Sequence, residues 1–400
     1  MLAVKNESIA DALASGSSYA CHPLGGISRS VKLFALPVVN LASLAVQTTF
    51  DETFSDAHLK VLIDVANESD LAAENLELHF ALKEWGTGTP VPLKETSHKL
   101  APTAAGKMGA SAISLPVSKP KKWDCENPNL YVLTCTLKMG GQVLQSVEQR
   151  LGFRQIDVRG NQVLINGLPV KLRGTNRHEV HPRMGRVVPE GQHLKDVEMF
   201  LEGNVNHIRT CHYPPDQALM EAADELGMLI ECEGPLCWTH RTKPSETRPR
   251  ELMDEAIVRQ NLEMVVQFRN HPSVILWSIA NESHWDPIWE TSAKTMSDLD
   301  PTRPSTFNYL ERHNKDNTRD QNVCAVLSKH YPGLAAAEYF KDYQRPVNFG
   351  EFTHLNSYNR HELATDVGLR DLWGERSPRH VGDHVCLQGC ARWLHLGGDR

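Results

Sequence analysis

The sequence predicts a multidomain β plus α/β chain: an immunoglobulin-like β-sandwich, then a (β/α)8 TIM barrel lacking a proper eighth strand, with a short β remnant in front. Three observations predict it. Short alternating segments fill residues 41–153, strand, loop and helix alternate from Asn166-Gly167 onward, and the apolar run Val274, Ile275, Leu276 breaks off at Asn281-Glu282. Such a run, buried on both faces, suits a parallel sheet covered by helices. The C-terminal ends of barrel strands are where this fold carries its chemistry.

Four hundred residues, 40% hydrophobic and 23% charged, allow two or three domains with a large core. Residues 1–40 are too short for a domain, although Val31 to Leu36 read as one strand before Pro37. Between Leu41 and Phe153 the segments LASLAVQTTF, HLKVLIDVAN, LELHFALKEW and LYVLTCTLK, the last joined through Gly140-Gly141 to VLQSVEQRLGF, read as period-two strands of a sandwich. That region holds no catalytic constellation.

Residues 154–400 form the barrel unit. Its strands read as LPVKLRG, VNHIRTCHY, MLIECEG, VILWSIANE, PSTFNY, VCAVLSKHY and PVNFGEF, with helices at Leu194 to Glu202, Asp216 to Leu226 and Leu252 to Arg269 among them. After about Ser377 no helix or strand period is evident. A one-base shift of codons chosen for Pro378 onward yields an amphipathic helix and a glycine-led apolar strand, so residues 377–400 read as out of frame. Seven strands alone leave two unpaired edges and predict a poorly folded product.

The formal net charge of -7 contains no long basic or acidic block, so neither nucleic acid nor a membrane is a favoured partner and a small neutral molecule fits better. Nine cysteines without CxxC or metal-finger spacing read as reduced thiols. No run of 18 apolar residues and no basic-then-apolar leader is present, so a cytoplasmic location is expected.

Glu282 and Glu351 close two different barrel strands, Asn281 precedes one, and Phe352-Thr353-His354 follows the other. Two carboxylates so placed are what a glycosidase needs. Strand one ends in Asn176-Arg177-His178-Glu179 and strand two in Arg209-Thr210-Cys211-His212-Tyr213, bringing to the mouth imidazoles that can hydrogen-bond hydroxyls. Strand three ends in Glu231-Cys232-Glu233 and strand six in His330-Tyr331. Cys211 and His212, neighbours on a strand, point to opposite faces and make no nucleophile pair. HEVH lacks the spacing of a helical zinc motif, so no metal is required.

The segments NRHEVHPRMGR, IRTCHYP, HPSVILWSIANES and EFTH resemble glycoside hydrolase family 2, and within it the β-galactosidases, over roughly residues 25 to 375. Gly25 to Val31 resembles the end of that family's sugar-binding jelly-roll domain, which makes residues 1–40 its C-terminal remnant. The resemblance implies release of terminal β-D-galactose from a small glycoside or oligosaccharide with retained configuration. Glu282 would be acid/base and Glu351 nucleophile. Asn281 would hold the 2-hydroxyl, His178, His212 and His354 would line the sugar subsite, Arg209 would orient the carboxylates, Tyr331 would support Glu351, and Glu233 would join the substrate-binding set. Glu282 would start protonated, its pKa raised by the charge of Glu351. The family's magnesium segment reads here ECEGPLCWTH, which keeps Glu233 and His240 but has Cys237 and Trp238 where a metal glutamate would be sought. β-Glucuronidase and β-mannosidase are the family alternatives, and an inactive carbohydrate-binding remnant is the rival from another class. HEVHP with Gly185-Arg186 favours the galactosidase, since no cationic cradle for a sugar carboxylate is evident. Full-length relatives leave room for a homo-oligomer.

Overall fold

The structure, a computed structural model, describes residues 8–14, 27–309, 323–332, 336–352 and 386–390. In the sandwich, alternation makes each strand half buried. Strands β1 (Val39–Phe50), β2 (Ala57–Asn67) and β6 (Lys107–Val117) form one antiparallel sheet in the order β1-β2-β6. The other sheet runs β4 (Pro90–Val91), β3 (Leu76–Glu84), β7 (Tyr131–Met139), β8 (Gln142–Leu151), with β5 (Ser97–Lys99) also on β3. Along β2, Leu59, Val61, Ile63 and Val65 point inward, meeting Leu78, Phe80, Leu133 and Leu137 of the other sheet and Ile113 and Leu115 of β6 in one apolar core. β6 was not among the expected strands, because Lys107 to Ala112 carry little apolar alternation. It pairs with β2 along its whole length, from Ala57 opposite Val117 to Asn67 opposite Lys107.

Two expected strands are corrected. Val31 to Leu36 form no strand: with no ladder partner among the described residues, the segment lies open, Leu33 100% and Phe34 73% exposed. LPVKLRG is not the first barrel strand. Its Leu168 and Pro169 make β11, which pairs with β10 (Gln162–Ile165) beside β9 (Ile156–Arg159) in a separate three-stranded sheet. Proline has no N–H for a central ladder, so the barrel begins only at β12 (Arg173–Arg177).

The barrel strands follow as β13 (His207–Thr210), β14 (Leu229–Glu233), β15 (Val274–Asn281), β16 (Ser305–Tyr309), β17 (Val326–His330), β18 (Val347–Glu351) and β19 (Cys386–Cys390), a closed parallel ring. Six of the eight come from the expected segments, and the first begins at Arg173, where LPVKLRG ends. The eighth departs from the reading of residues 377–400 as without a strand: Cys386–Cys390 pairs β18 at two positions and β12 at four. The physical reason is the open edge pair of a seven-stranded parallel ring, whose unpaired N–H and C=O groups any short extended segment can satisfy.

Helices cover the outside: α2 (Glu190–Glu202), α3 (Gln217–Leu226), α4 (Arg250–Phe268), α5 (Ile288–Leu299) and the short α6 (Ala336–Phe340), while α1 (Ile9–Leu13) packs on α4. Asp216 caps α3 by accepting from the Ala218 amide at 2.9 Å. α3 ends at Gly227, whose φ of +79° suits glycine, and a Cβ there would lie 2.6 Å from the Cys125 carbonyl oxygen. That close approach joins sandwich to barrel. At the same junction Arg154 donates to the carbonyls of Pro272 and Val274, at 2.9 and 3.0 Å, and Trp123 Nε1 to that of Asp224 at 2.8 Å. Because β15 follows directly, the sandwich braces the strand that ends in Asn281.

Candidate active site

The strand ends converge at the mouth of the barrel. Glu282 and Glu351, with His330, bring one ligand-type atom each within 4.8 Å of one another, and all three are buried. His330 Nδ1 lies 2.8 Å from Glu282 Oε1, a hydrogen-bond distance, and 3.8 Å from Glu351 Oε1, close enough to act on it through charge. Trp238 Nε1 donates to the other Glu282 oxygen at 2.8 Å. The Tyr331 hydroxyl donates to Glu351 Oε2.

Below them Arg209 is fully buried and holds three acids together. Its guanidinium lies 2.6 Å from Glu233, 3.1 Å from Glu351 and 3.7 Å from Glu231, and donates to Asn281 Oδ1 at 2.7 Å. His212 Nδ1 meets Glu233 at 2.8 Å, and Ser278 donates to it at 2.7 Å. Asn308 donates to Glu231 and Glu233 at 3.1 and 2.9 Å, and Asn348 to Glu231 at 2.9 Å. Five strands thereby share one polar interior, and buried polar groups tolerate that only when partnered.

Burial alone would make each charge costly, so the partners decide which forms prevail. Burial lowers the Arg209 pKa, but Glu233, Glu351 and Glu231 outweigh it and hold the guanidinium well above its ordinary value. For Glu233 burial raises the pKa, and Arg209 and His212 more than reverse that. Glu351 follows the same pattern: His330, Arg209 and His212, with the Tyr331 hydrogen bond, override burial and keep the carboxyl well below the usual carboxylate range. Glu282 departs from expectation. Burial and the charge of Glu351 do raise its pKa, yet the hydrogen bond and charge of His330 and the Trp238 N–H together bring the net value below the ordinary one.

The structure brings together Glu282, Glu351, Asn281, Arg209, His212, Glu233 and Tyr331. His178 stands at the rim, its ring edge-on to His212 with centroids 5.2 Å apart. His354 lies outside the described residues. Reading the sequence missed His330 as the partner of Glu282, although it sits beside Tyr331 at a strand end, where the position was legible. It also missed Trp238, whose loop position carries no periodic signal. Asn176, which donates to the Gly350 carbonyl at 2.8 Å, and Asn308 were likewise unforeseen. Gly350 is forced by this crowding, because a Cβ there would sit 2.8 Å from both His330 Nε2 and Ser328 Oγ.

The residues present do not fit magnesium. Glu233 is already taken by Arg209, His212 and Ser278, while Asn281 Nδ2 donates to the Cys237 sulfur at 3.1 Å and His240 stacks on His284 with centroids 3.8 Å apart. A hard dication wants several free oxygens, and both Glu233 oxygens are already engaged. No chemistry is therefore routed through a metal.

A family model described as "Glycosyl hydrolases family 2, TIM barrel domain" matches residues 156–366, and one described as "Glycosyl hydrolases family 2" matches residues 39–154. A β-galactosidase of Aeromonas hydrophila is 31% identical over 384 residues, which is 92% of this chain and 35% of that protein. A putative β-glucuronidase of Formosa agariphila is 33% identical over 371 residues, 90% of this chain and 41% of its own. Among solved structures, a Bacteroides uniformis β-glucuronidase superposes with a TM-score of 0.71 at 23% identity, covering 87% of this chain and 45% of that one. A family 2 β-galacturonidase from Eisenbergiella tayi bound to galacturonate gives 0.79 at 20% identity, covering 97% and 70%. At those identities the two structures support the fold. The chain spans less than half the length of these two curated relatives.

Proposed function

We propose, since the chain belongs to glycosyl hydrolase family 2, that it is a retaining exo-glycosidase releasing terminal β-D-galactose. The observation that carries the proposal is the approach of the Glu282 and Glu351 oxygens within 4.8 Å. Retaining enzymes hold their carboxyl groups about 5–5.5 Å apart, which leaves no room for a water between carboxylate and sugar.

In this reading Glu351, kept ionised by Arg209 and His330, attacks the anomeric carbon and the glycosidic C–O bond breaks. The departing oxygen takes its proton from Glu282, whose Oε1 stands 2.8 Å from His330 Nδ1. The glycosyl ester on Glu351 then meets water, Glu282 accepts the water's proton, and the C–O bond to Glu351 opens with configuration retained. Asn281 holds the 2-hydroxyl, while His178 and His212 face the sugar. Burial of the acids in a site excluded from bulk water strengthens each of these interactions.

Galactose is favoured by the galactosidase relative and by HEVHP with Gly185-Arg186. A uronide is the second reading, favoured by the 33% identical glucuronidase-named relative. Assay of nitrophenyl galactoside, glucuronide, mannoside and fucoside, with Glu351→Ala as blank, separates them. The galactoside is expected to be fastest. Turnover confined to the glucuronide selects the second reading, and turnover that survives Glu351→Ala overturns both.

A further inference from the structure

The segment Leu236 to Thr242, which follows β14, is stitched on two sides. Toward the site, the Asn281 amide donates to the Leu236 carbonyl at 2.8 Å, the Trp238 amide to the Asn281 carbonyl at 3.1 Å, and the Thr239 amide to Ser283 Oγ at 3.1 Å. Away from it, the Cys237 amide donates to the Leu13 carbonyl at 3.2 Å and Thr242 Oγ1 to the Ala12 carbonyl at 2.6 Å. Leu13 is fully buried in the outer barrel core, and Ser8 caps the helix by accepting from the Asp11 amide at 3.1 Å. α1 thus reaches more than two hundred residues along the chain to close the back of this loop.

Two residues of the assembly are held in a left-handed backbone conformation, Trp238 at φ +51° and Glu282 at φ +41°. Non-glycine residues persist there only when their surroundings hold them. The Arg241 guanidinium lies 3.8 Å over the Trp238 ring, and His240 stacks on His284, so the outer side of the loop is packed as well. The indole N–H donates and never accepts. Its contact with Glu282 Oε2 keeps that oxygen an acceptor in every protonation state.

We infer that Trp238 is a positioning residue for Glu282, braced by α1 behind its loop, and that it confines the transferable proton to Oε1, the oxygen facing His330. This rests on the reading of Glu282 as the acid. With Oε2 committed, the carboxyl cannot turn to place its proton on the far side, and α1 keeps the indole from withdrawing.

The test uses aryl glycosides of whichever sugar the nitrophenyl panel selects, from dinitrophenyl, which leaves without a proton, to phenyl, which needs one. Trp238→Phe keeps the ring and removes the donor; Leu13→Asp undocks α1, and Leu13→Ala replaces it should the charged variant not fold. Both changes are expected to cost at least about tenfold more kcat/KM on the phenyl than on the dinitrophenyl substrate, within the range of general acid catalysis, and Leu13→Met to restore the wild-type ratio. Equal losses across the series would mean a merely structural role and would overturn the inference. If the wild-type chain cleaves no glycoside, the proposed function has failed, and hydrogen exchange at the Cys237, Trp238 and Thr239 amides decides the brace. Faster exchange in the Leu13 variant supports it, and unchanged exchange refutes it.

Discussion

The sandwich interior and the barrel interior are built from opposite materials. Leu59, Val61, Ile63, Leu78 and Leu133 fill the first with apolar side chains, while Arg209, Glu231, Glu233, Asn308, Asn348 and Ser278 fill the second with charges and amides. The first gains stability from area removed from water, roughly 25 cal/mol per Å2. The second gains little, since the desolvation of buried charges offsets most of their attraction. What it gains is fixed direction, with the Glu233 and Glu351 carboxyls held below their ordinary pKa by Arg209 and its neighbours. The sandwich is therefore a support and the barrel interior a device.

Arg209→Met should sharpen that contrast most. It strands Glu231, Glu233 and Glu351 in a dry interior, and uncompensated buried charge costs about 3–5 kcal/mol. A large drop in denaturation midpoint together with loss of turnover is expected, and a variant as stable and active as the parent would erase the distinction between the two interiors. Leu133→Ala, in the sandwich, should cost about 2–5 kcal/mol by opening a cavity. Here the unfolding curve should shift while kcat at 25 °C stays within about twofold, since RT ln 2 is below the effect of any catalytic contact. A change in kcat larger than the stability loss explains would show that the sandwich does more than brace β15.

A smaller effect is expected from His330→Met. Its hydrogen bond and charge are what pull the Glu282 pKa below the ordinary value, against burial and the charge of Glu351. Without the imidazole the raising causes prevail, Glu282 stays protonated to higher pH, and the alkaline limb of kcat/KM moves up. A limb that moves down, or stays, would separate His330 from the acid. Glu351 contributes in the opposite corner. Its folded value lies below the ordinary 4.5, so the stability it supplies is present above that pH and is lost only as pH falls through the depressed value.

The same contrast explains what could be read beforehand. Alternation exposed β1, β2, β3, β7 and β8, because an apolar core leaves a period-two trace in the chain. It failed for β6, whose first half is short of apolar residues, and for β12, whose Asn176 faces a polar interior and meets Arg209. Glu282 and Glu351 were legible because an apolar run that stops at a carboxylate is conspicuous. Trp238 was not, since its contact with Glu282 joins positions 44 apart through an irregular loop. Nor could the net pKa shift of Glu282 be foreseen while His330 counted only as a strand end. The eighth strand, Cys386–Cys390, carries no pattern of its own and takes its place from the edges of β12 and β18.

The central claim is that Glu351 forms a bond to the sugar with Glu282 beside it. The most direct measurement is incubation with an activated 2-deoxy-2-fluoro-β-galactoside, or the uronide analogue if the assay panel selects it, followed by intact mass and peptide mapping. The account predicts one added fluoroglycosyl group, on Glu351, appearing as activity disappears. A label on another residue, or steady turnover to inverted product with no adduct, would contradict it.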